Sequence, residues 1–308
     1  MAKGIGLADS ADSADSADSA DSADSADTGV STVSRNGVRR PIGVSPRLDA
    51  LPFGGGFGGN QWPPSDMGGD WGYANLATQY HNRLWSPYYR SLWVLAQFVG
   101  VKLAGPVLTW DTIALAAVPN AAVTTAELEG LASLIEYRPG VMAEALAERQ
   151  NIEVYFQGLL MYNRASRPYT YHLVEVAQRI GQFQAMHYKK IFHRPRPSQL
   201  SPALLPPIDV PGHASYPSGH ATGAYLVASV LKEVMPNVAS TPAVAGHPET
   251  TPLRKLAQRI ARNREVLGLH YPSDTVAGIK LADDSFKLLM ECDEVKNHLI
   301  GAARNEWP

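Results

Sequence analysis

The chain of 308 residues has very little cysteine, with Cys292 as the single example. One thiol excludes an intrachain disulfide framework and a thiolate metal cluster, so we expect Cys292 to pack inside a late helix. An excess of charge of one sign is also missing, because 27 Lys and Arg face 29 Asp and Glu for a formal net charge of -2. No basic run indicates a nucleic-acid partner.

Long uninterrupted hydrophobic runs are absent as well. The most apolar stretch, residues 91–123, is interrupted by Lys102, Pro106, Asp111 and Pro119. This pattern predicts buried helices rather than a membrane span. The N-terminus lacks a basic start followed by an apolar core, which is the pattern of a secretory signal. We therefore expect a cytoplasmic protein with no transmembrane segment.

Composition divides the chain into three parts. Residues 1–28 carry an Ala-Asp-Ser repeat that has no large side chain, which predicts a disordered acidic tail. Residues 29–70 are rich in Gly and Pro and are predicted to form an arm or linker. Residues 71–308 contain the helical patterns and are predicted to form the folded domain.

Apolar residues in this last part recur at the i, i+3, i+4, i+7 spacing of a helix. Three such stripes are Leu173, Val176, Ala177, Ile180; Val227, Val230, Leu231, Val234; and Ile279, Ala282, Phe286, Leu289. Thr124 and Glu127 have the spacing of a capping box, and Pro139-Gly140 predicts a break. With no convincing alternating strand pattern, we predict an all-α bundle of roughly eight to ten helices.

Three short motifs follow one another between Lys189 and Asp274. In the first, Lys189 precedes Arg196 by seven positions, and a helix is expected to stop at the Arg-Pro-Arg-Pro turn of residues 194–197. An arginine offers a planar fork to two oxygens and a lysine offers a compact charge. Lys190 and Arg194 are alternatives by residue type, and a solvated basic helix end is the plainer interpretation.

The second motif is Pro217-Ser218-Gly219-His220, which stands just before a helical stripe. Ser218 is the predicted N-cap, and Gly219 and His220 then lie in the first helical turn. A helix N-terminus presents unpaired N–H groups that suit an oxyanion, and a glycine lets the main chain approach it closely. The alternative is an ordinary capped helix with a surface histidine.

The third motif contains Arg264, His270 and Asp274. A helix end or bend is expected at residues 267–269, and Pro272 is expected to start the next helix. Asp274 can accept a hydrogen bond from one ring nitrogen of His270 and leave the other unprotonated, as a nucleophile or ligand requires. The alternative is a capping aspartate beside a core histidine.

In this order the motifs resemble the superfamily of type 2 phosphatidic acid phosphatases, bacterial acid phosphatases and vanadium-dependent haloperoxidases. Its signature reads Lys-x6-Arg-Pro, then Pro-Ser-Gly-His, then Ser-Arg-x5-His-x3-Asp. One position departs, because Asn263 stands where serine is usual, and we expect the pocket to survive the change. The resemblance implies a multi-helix bundle of the acid phosphatase and vanadium haloperoxidase type, with residues 71–308 as a soluble catalytic domain.

The resemblance also implies individual roles. His270 would be the phosphorylated nucleophile of a phosphatase, or the metal ligand if vanadate is the cofactor of a haloperoxidase. His220 would be the acid–base group, and Asp274 would orient His270. The residues implied to hold phosphate or vanadate are Lys189, Arg196, Ser218, Gly219 and Arg264.

Two chemistries remain open for this one oxyanion pocket. The first choice is a soluble hydrolase of phosphomonoesters that needs no cofactor. The alternatives are a haloperoxidase that uses vanadate, a halide and peroxide, and a non-catalytic oxyanion-binding protein. His213, seven residues before His220, is a possible pocket wall and does not decide between them. An oligomer is possible.

Overall fold

A computed structural model describes residues 84–104, 107–235 and 241–307. The predicted acidic tail (1–28), the predicted arm (29–70) and residues 71–83 lie outside these ranges, so both predictions stay untested. Pro87–Pro308 forms one compact unit.

The described residues are helical and contain no β-strand, only an isolated bridge between Leu103 and Leu108. The α-helices are α1 (Pro87–Gly100), α2 (Ala121–Ala132), α3 (Arg138–Gln150), α4 (Glu153–Leu160), α5 (Pro168–Phe192), α6 (Pro197–Leu200), α7 (Gly219–Val234), α8 (Pro252–Val266), α9 (Pro272–Leu289) and α10 (Ile300–Arg304). A π-helix, Glu294–Leu299, precedes α10. The predicted all-α class is confirmed.

Helix α7 lies at the centre of the bundle, where it packs against α5, α8 and α9, and α1 packs on the far side of α5. Small residues allow the closest approaches. A Cβ on Gly181 would lie 3.0 Å from the Cα of Gly223, and a Cβ on Gly278 would lie 2.7 Å from the carbonyl oxygen of Ser218. The glycine at 278 therefore lets α9 lie directly against the start of α7, which joins the third motif to the second.

The predicted stripes face the core. Those of α5 and α7 are fully buried, and in α9 Ala282 and Leu289 are buried while Ile279 and Phe286 pack against the core from its edge. Cys292 is buried as predicted, but it lies in the bend between α9 and the π-helix rather than inside a helix. A fully buried alkyl side chain contributes about 1.5–3 kcal/mol, so these stripes account for much of the stability.

Three local predictions were wrong. Thr124 does not cap α2, because Asn120 accepts the hydrogen bond from the Val123 N–H one turn earlier. Pro139 does not break the chain, since proline is tolerated in the first turn of a helix and α3 begins at Arg138. Residues 91–123 are not all buried helix, because the described residues between α1 and α2 are non-helical and mostly partly or fully exposed.

Arg138 ties the region around the third motif together. Its buried guanidinium donates to the carbonyl oxygen of Val266 at 3.0 Å, of Leu205 at 2.7 Å and of Leu204 at 2.6 Å. These carbonyls belong to the end of α8 and to the turn after α6, where no helical N–H can satisfy them. One side chain thus satisfies carbonyl groups both at the end of α8, which precedes the loop bearing His270, and in the turn after α6.

We predict that Arg138→Met destabilises the protein by about 2–4 kcal/mol, because buried carbonyl groups lose their donor. Urea unfolding followed by circular dichroism measures this change. Arg259→Met is the matched control, since Arg259 is exposed and pairs with Glu144 at the surface, where such pairs contribute under about 1 kcal/mol. Equal losses in the two variants would contradict the assigned role.

Candidate active site

The three motifs meet around one buried point. Lys189 lies in the last turn of α5, Arg196 just before α6, Ser218 at the N-cap of α7, and Asp274 in the first turn of α9. His270 lies between α8, which carries Arg264, and α9. All of these side chains are buried. Helix ends thus supply nearly every polar group of the site, and the N-terminus of α7 is the helix end that can bind an oxyanion.

His270 is held between one acceptor and one donor. Its Nδ1 lies 3.1 Å from Oδ2 of Asp274, and its Nε2 lies 3.1 Å from a terminal nitrogen of Arg196. The guanidinium has only donors, so Nε2 must offer its lone pair and Nδ1 must carry the proton. Burial, followed by the charges of Arg196 and Lys189, holds the pKa of His270 well below the ordinary value. The ring is therefore neutral, with its lone pair on Nε2.

The carboxylate of Asp274 is surrounded by donors. Oδ2 accepts from Ser215 Oγ at 2.5 Å and from the Tyr271 N–H at 3.1 Å, in addition to His270. Oδ1 accepts from Arg194 at 2.6 Å. The carboxylate of Asp274 is the acceptor in each of these hydrogen bonds. It therefore keeps the proton on Nδ1 of His270.

Arg194 has a different place from Arg196. It pairs with Asp274 on one side and with Glu127 of α2 at 2.8 Å on the other, and its guanidinium stacks 3.6 Å from the ring centre of Tyr271. Glu127 also accepts from the Ser273 N–H at the start of α9. Sequence reasoning named Arg194 only as a competitor of Arg196 and missed Glu127 and Ser215 in this network, because their partners are distant in sequence.

Lys189 has no carboxylate partner among the described residues. Its Nζ donates to the carbonyl oxygens of Ala214 at 2.9 Å and Ser215 at 2.8 Å. Carbonyl groups orient an ammonium without cancelling its charge. Burial and the neighbouring Arg196 lower the pKa of Lys189 well below its ordinary value. The side chain is thus held at a site of excess positive charge.

Arg196 is held in the same way. It donates to the carbonyl oxygens of His213 at 3.0 Å and Leu269 at 2.8 Å, and burial lowers its pKa to about 10. Its remaining nitrogen lies 2.9 Å from Nδ1 of His213. His213 must accept there, so its proton is on Nε2, and burial together with the nearby cations lowers its pKa to about 4. His213 thus lies against Arg196 as a neutral acceptor.

Arg264 differs from the other two cations, because it has an acidic partner. Its guanidinium donates to Glu148 of α3 at 2.9 Å and also to the carbonyl oxygen of Ala145. The main-chain oxygen of Glu148 accepts from Nε2 of His220 at 3.1 Å. This bond leaves Nδ1 of the neutral His220 ring as an acceptor, and burial followed by the charge of Arg264 lowers the pKa of His220 to about 3.

The start of α7 completes the site. Ser218 accepts a hydrogen bond from the Ala221 N–H at 3.3 Å, as an N-cap does, and its hydroxyl proton stays available for a ligand. A Cβ on Gly219 would lie 4.0 Å from Cε of Lys189. This approach brings the free N–H groups of the helix terminus next to the lysine. Asn263 lies behind the site, where its amide donates to Glu148 at 2.9 Å.

No protein-family model matches the chain. Two curated relatives match, and both are decaprenylphosphoryl-5-phosphoribose phosphatases from Mycobacterium tuberculosis, of strains CDC 1551 and H37Rv. Each is 32% identical over 98 residues, which is 32% of this chain and 46% of the relative. The chain thus matches about half the length of these relatives.

These matches join the ordered signature and the all-helical fold. The chain is similar to these phosphatases over the matched stretch, and its signature resembles that of the type 2 phosphatidic acid phosphatase superfamily. Among solved structures, a transmembrane PAP2-type phosphatidylglycerolphosphate phosphatase from Bacillus subtilis aligns with a TM-score of 0.39 and 18% identity, over 69% of this chain and 98% of that one. Among the described residues of this chain, no helix is both long and apolar enough to span a membrane.

We predict that Asp274→Asn moves the proton of His270 from Nδ1 to Nε2. Arg194 can only donate, so the amide oxygen will face Arg194 and the amide N–H will face His270. Nitrogen-15 NMR near pH 6.5, where an ordinary histidine is half protonated, reads the tautomer directly. In the unsubstituted protein, Nε2 should give the signal of an unprotonated nitrogen.

The control is Asp284→Asn, which changes another aspartate of α9 whose partners are Lys280 and Lys287. It should leave the His270 signals where they are. A His270 spectrum that is the same in the Asp274→Asn protein as in the unsubstituted protein would show that Asp274 does not set the tautomer.

Proposed function

We propose that the protein is a soluble phosphatase that hydrolyses phosphomonoesters through a phosphohistidine on His270. The observation that carries this proposal is a pair of buried cations, Lys189 and Arg196, that have no carboxylate partner in the part of the chain that the structure describes. They lie beside a neutral histidine whose Nε2 lone pair faces Arg196. Buried charge without a partner is costly, and a bound dianion removes that cost. The site is therefore complementary to a phosphate group.

In the first step, Nε2 of His270 attacks phosphorus and the bond to the leaving alcohol oxygen breaks. Before this attack, Arg196 transfers its hydrogen bond from Nε2 to an equatorial phosphate oxygen, which frees the lone pair. Lys189, Arg264 and the N–H groups at the start of α7 hold the remaining oxygens. Donors held in place before the reaction stabilise the five-coordinate state, at about 3 kcal/mol for each one.

His220 handles the proton. Its Nε2 is anchored on the Glu148 carbonyl, so Nδ1 is the atom that exchanges a proton with the substrate. A bound dianion opposes the positive charge that lowers the pKa of His220, and so favours its protonated form when substrate is present. His220 gives this proton to the leaving alkoxide and then takes one from the attacking water, and cleavage of the P–N bond releases phosphate.

The curated relatives support hydrolysis of a phosphate ester, because both are named as phosphatases. Phosphomonoesters are our proposal for the substrate class of this chain, and the cytoplasm is our proposal for its location. No comparison supports the haloperoxidase alternative. Both activities would use the same oxyanion pocket, so an activity assay is needed to distinguish them. The phosphatase chemistry proposed here uses no cofactor.

A paired assay on one preparation tests the function. We expect hydrolysis of a phosphomonoester without added metal, and no halide oxidation when vanadate, bromide and peroxide are supplied. Rapid quenching with a labelled substrate should trap an acid-labile phosphohistidine. His270→Ala should abolish hydrolysis and trapping, whereas His298→Ala, which changes an exposed histidine, should leave both intact. Halide oxidation without hydrolysis would replace the proposal with the haloperoxidase.

Arg196→Lys should lower kcat/KM by about 10²–10³-fold, because an ammonium cannot reach two phosphate oxygens and the His213 and Leu269 carbonyls at once. Steady-state kinetics with the same phosphomonoester measure this loss. The control is Arg262→Lys, at an exposed arginine that pairs with Glu265, and it should retain full activity. Unchanged kinetics in the Arg196→Lys variant would remove Arg196 from the site.

A further inference from the structure

Glu148 is a buried acid behind the oxyanion pocket that the three-part signature does not include. It lies on α3 with 1% of its surface exposed. One carboxylate oxygen accepts from Arg264 at 2.9 Å and the other accepts from Asn263 at 2.9 Å. Its main-chain oxygen anchors His220. A single residue therefore contacts one of the implied phosphate-binding cations and the implied acid–base histidine.

This contact makes Arg264 unlike Lys189 and Arg196. Those two cations are oriented by neutral carbonyl groups, whereas Arg264 forms an ion pair with the Glu148 carboxylate. The Nε of Arg264 is buried and has no hydrogen-bond partner within residues 84–104, 107–235 and 241–307. Arg264 thus keeps one N–H that makes no hydrogen bond, while its charge is neutralised by Glu148. A dianion that enters the pocket must compete with Glu148 for it.

The protonation of Glu148 decides the strength of this competition. Burial raises its pKa to about 7, against the opposing effects of Arg264 and Asn263, and Glu144 on the same helix raises it further. The other titratable groups that face it are His220 of α7 and Tyr155 of α4. Both are neutral near pH 7, because the pKa of His220 is lowered and that of Tyr155 is raised.

We propose that Glu148 competes with the bound anion for Arg264 and takes up a proton from solvent when a dianion binds. The proton neutralises the carboxylate, and the charge of Arg264 then acts on the anion instead. This inference rests on the proposed function, in which the pocket binds the dianionic phosphate group of a substrate. Glu148 acts through Arg264 and His220, so it is a positioning residue rather than a catalytic one.

Asn263 supports the carboxylate of Glu148. Its amide donates to the oxygen of Glu148 that Arg264 does not use, which stabilises the ionised carboxylate. The superfamily signature has serine at this position, and a serine hydroxyl oxygen is one bond closer to the main chain than the amide nitrogen of asparagine. The departure from the signature therefore lies in the support of Glu148, behind the anion pocket.

The sign of the pH dependence follows from the raised pKa. Below about pH 7 Glu148 is neutral, so the full charge of Arg264 is available and a dianion binds tightly. Above that pH the carboxylate must take up a proton before it releases Arg264. Uptake of nearly one proton raises Kd by up to about tenfold for each pH unit.

Calorimetric titration with sulfate tests the proposal, because sulfate stays a dianion between pH 6 and 9. Titrations at pH 8 in buffers of different ionisation enthalpy give the number of protons taken up. Lys189 and the pocket histidines can also take up protons, so the quantity compared is the difference between proteins. We expect uptake by the Glu148→Gln protein to be lower than that of the unsubstituted protein by about half to one proton.

We also expect Glu148→Gln to bind sulfate about three- to tenfold more tightly than the unsubstituted protein at pH 8, with little change at pH 6. Glu144→Gln is the matched control, one turn earlier on α3, where Glu144 pairs with Arg259. It should keep most of the proton uptake. Asn263→Ser should shift the pH window of uptake upwards, because the ionised carboxylate loses a donor.

The outcomes separate the inference from the function on which it rests. Equal proton uptake in the unsubstituted and Glu148→Gln proteins, with sulfate bound by both, overturns the inference about Glu148 alone. Sulfate binding that weakens tenfold at pH 8 in Glu148→Gln also overturns it, because the carboxylate would then only position Arg264. If Glu148→Gln does not fold, an unshifted window in Asn263→Ser overturns the inference. An unsubstituted protein that neither binds sulfate nor hydrolyses phosphomonoesters overturns the proposed function as well.

Discussion

The carboxyl group and main chain of Asp274 form the junction on which the site depends. The carboxylate receives hydrogen bonds from His270, Ser215 and Arg194, and the main-chain carbonyl of the same residue accepts from the Ser218 N–H at 2.9 Å. One residue thus links all three motifs. It can do so because Gly278, one turn later on α9, lets that helix lie against the start of α7.

Around this junction the protein concentrates positive charge that its own carboxylates only partly cancel. Lys189 and Arg196 are held by carbonyl oxygens, which fix their direction and leave their charge available. The lowered pKa values of His213, His220 and His270 all have this cluster as one cause. Burial of such charge is unfavourable without a bound anion, and the free energy gained by burying the large apolar core offsets it. A bound anion would relieve it.

Carboxylates from two further helices, α2 and α3, pair with arginines of this region. Glu127 of α2 pairs with Arg194 and caps the start of α9, so it supports Asp274. Glu148 of α3 pairs with Arg264 and anchors His220 through its main chain. The first acid stabilises the histidine that we propose as nucleophile. The second controls one of the cations that we propose to bind phosphate.

The sequence by itself determined the helical class, the three stripes of the central helices, the end of α5 before the proline-rich turn, and the N-cap at Ser218. These features depend on local spacing and on proline and capping chemistry, which the chain carries within a few residues. The same locality explains why the contact between His270 and Asp274 could be predicted, since these two residues are only four positions apart in the chain. The roles of these residues still rest on the signature and on the geometry together.

The tertiary structure alone decided which polar groups meet. Glu127, Glu148, Ser215 and Arg138 act on partners that lie 59 or more positions away in the chain, and no local pattern marks them. The capping prediction for Thr124 failed for a related reason, because Asn120 caps α2 and leaves Glu127 to serve a distant arginine. Local sequence fixes which groups a helix end can offer. Only packing fixes whether an acid, a carbonyl or open space lies opposite a cation, and that choice sets its charge and its chemistry.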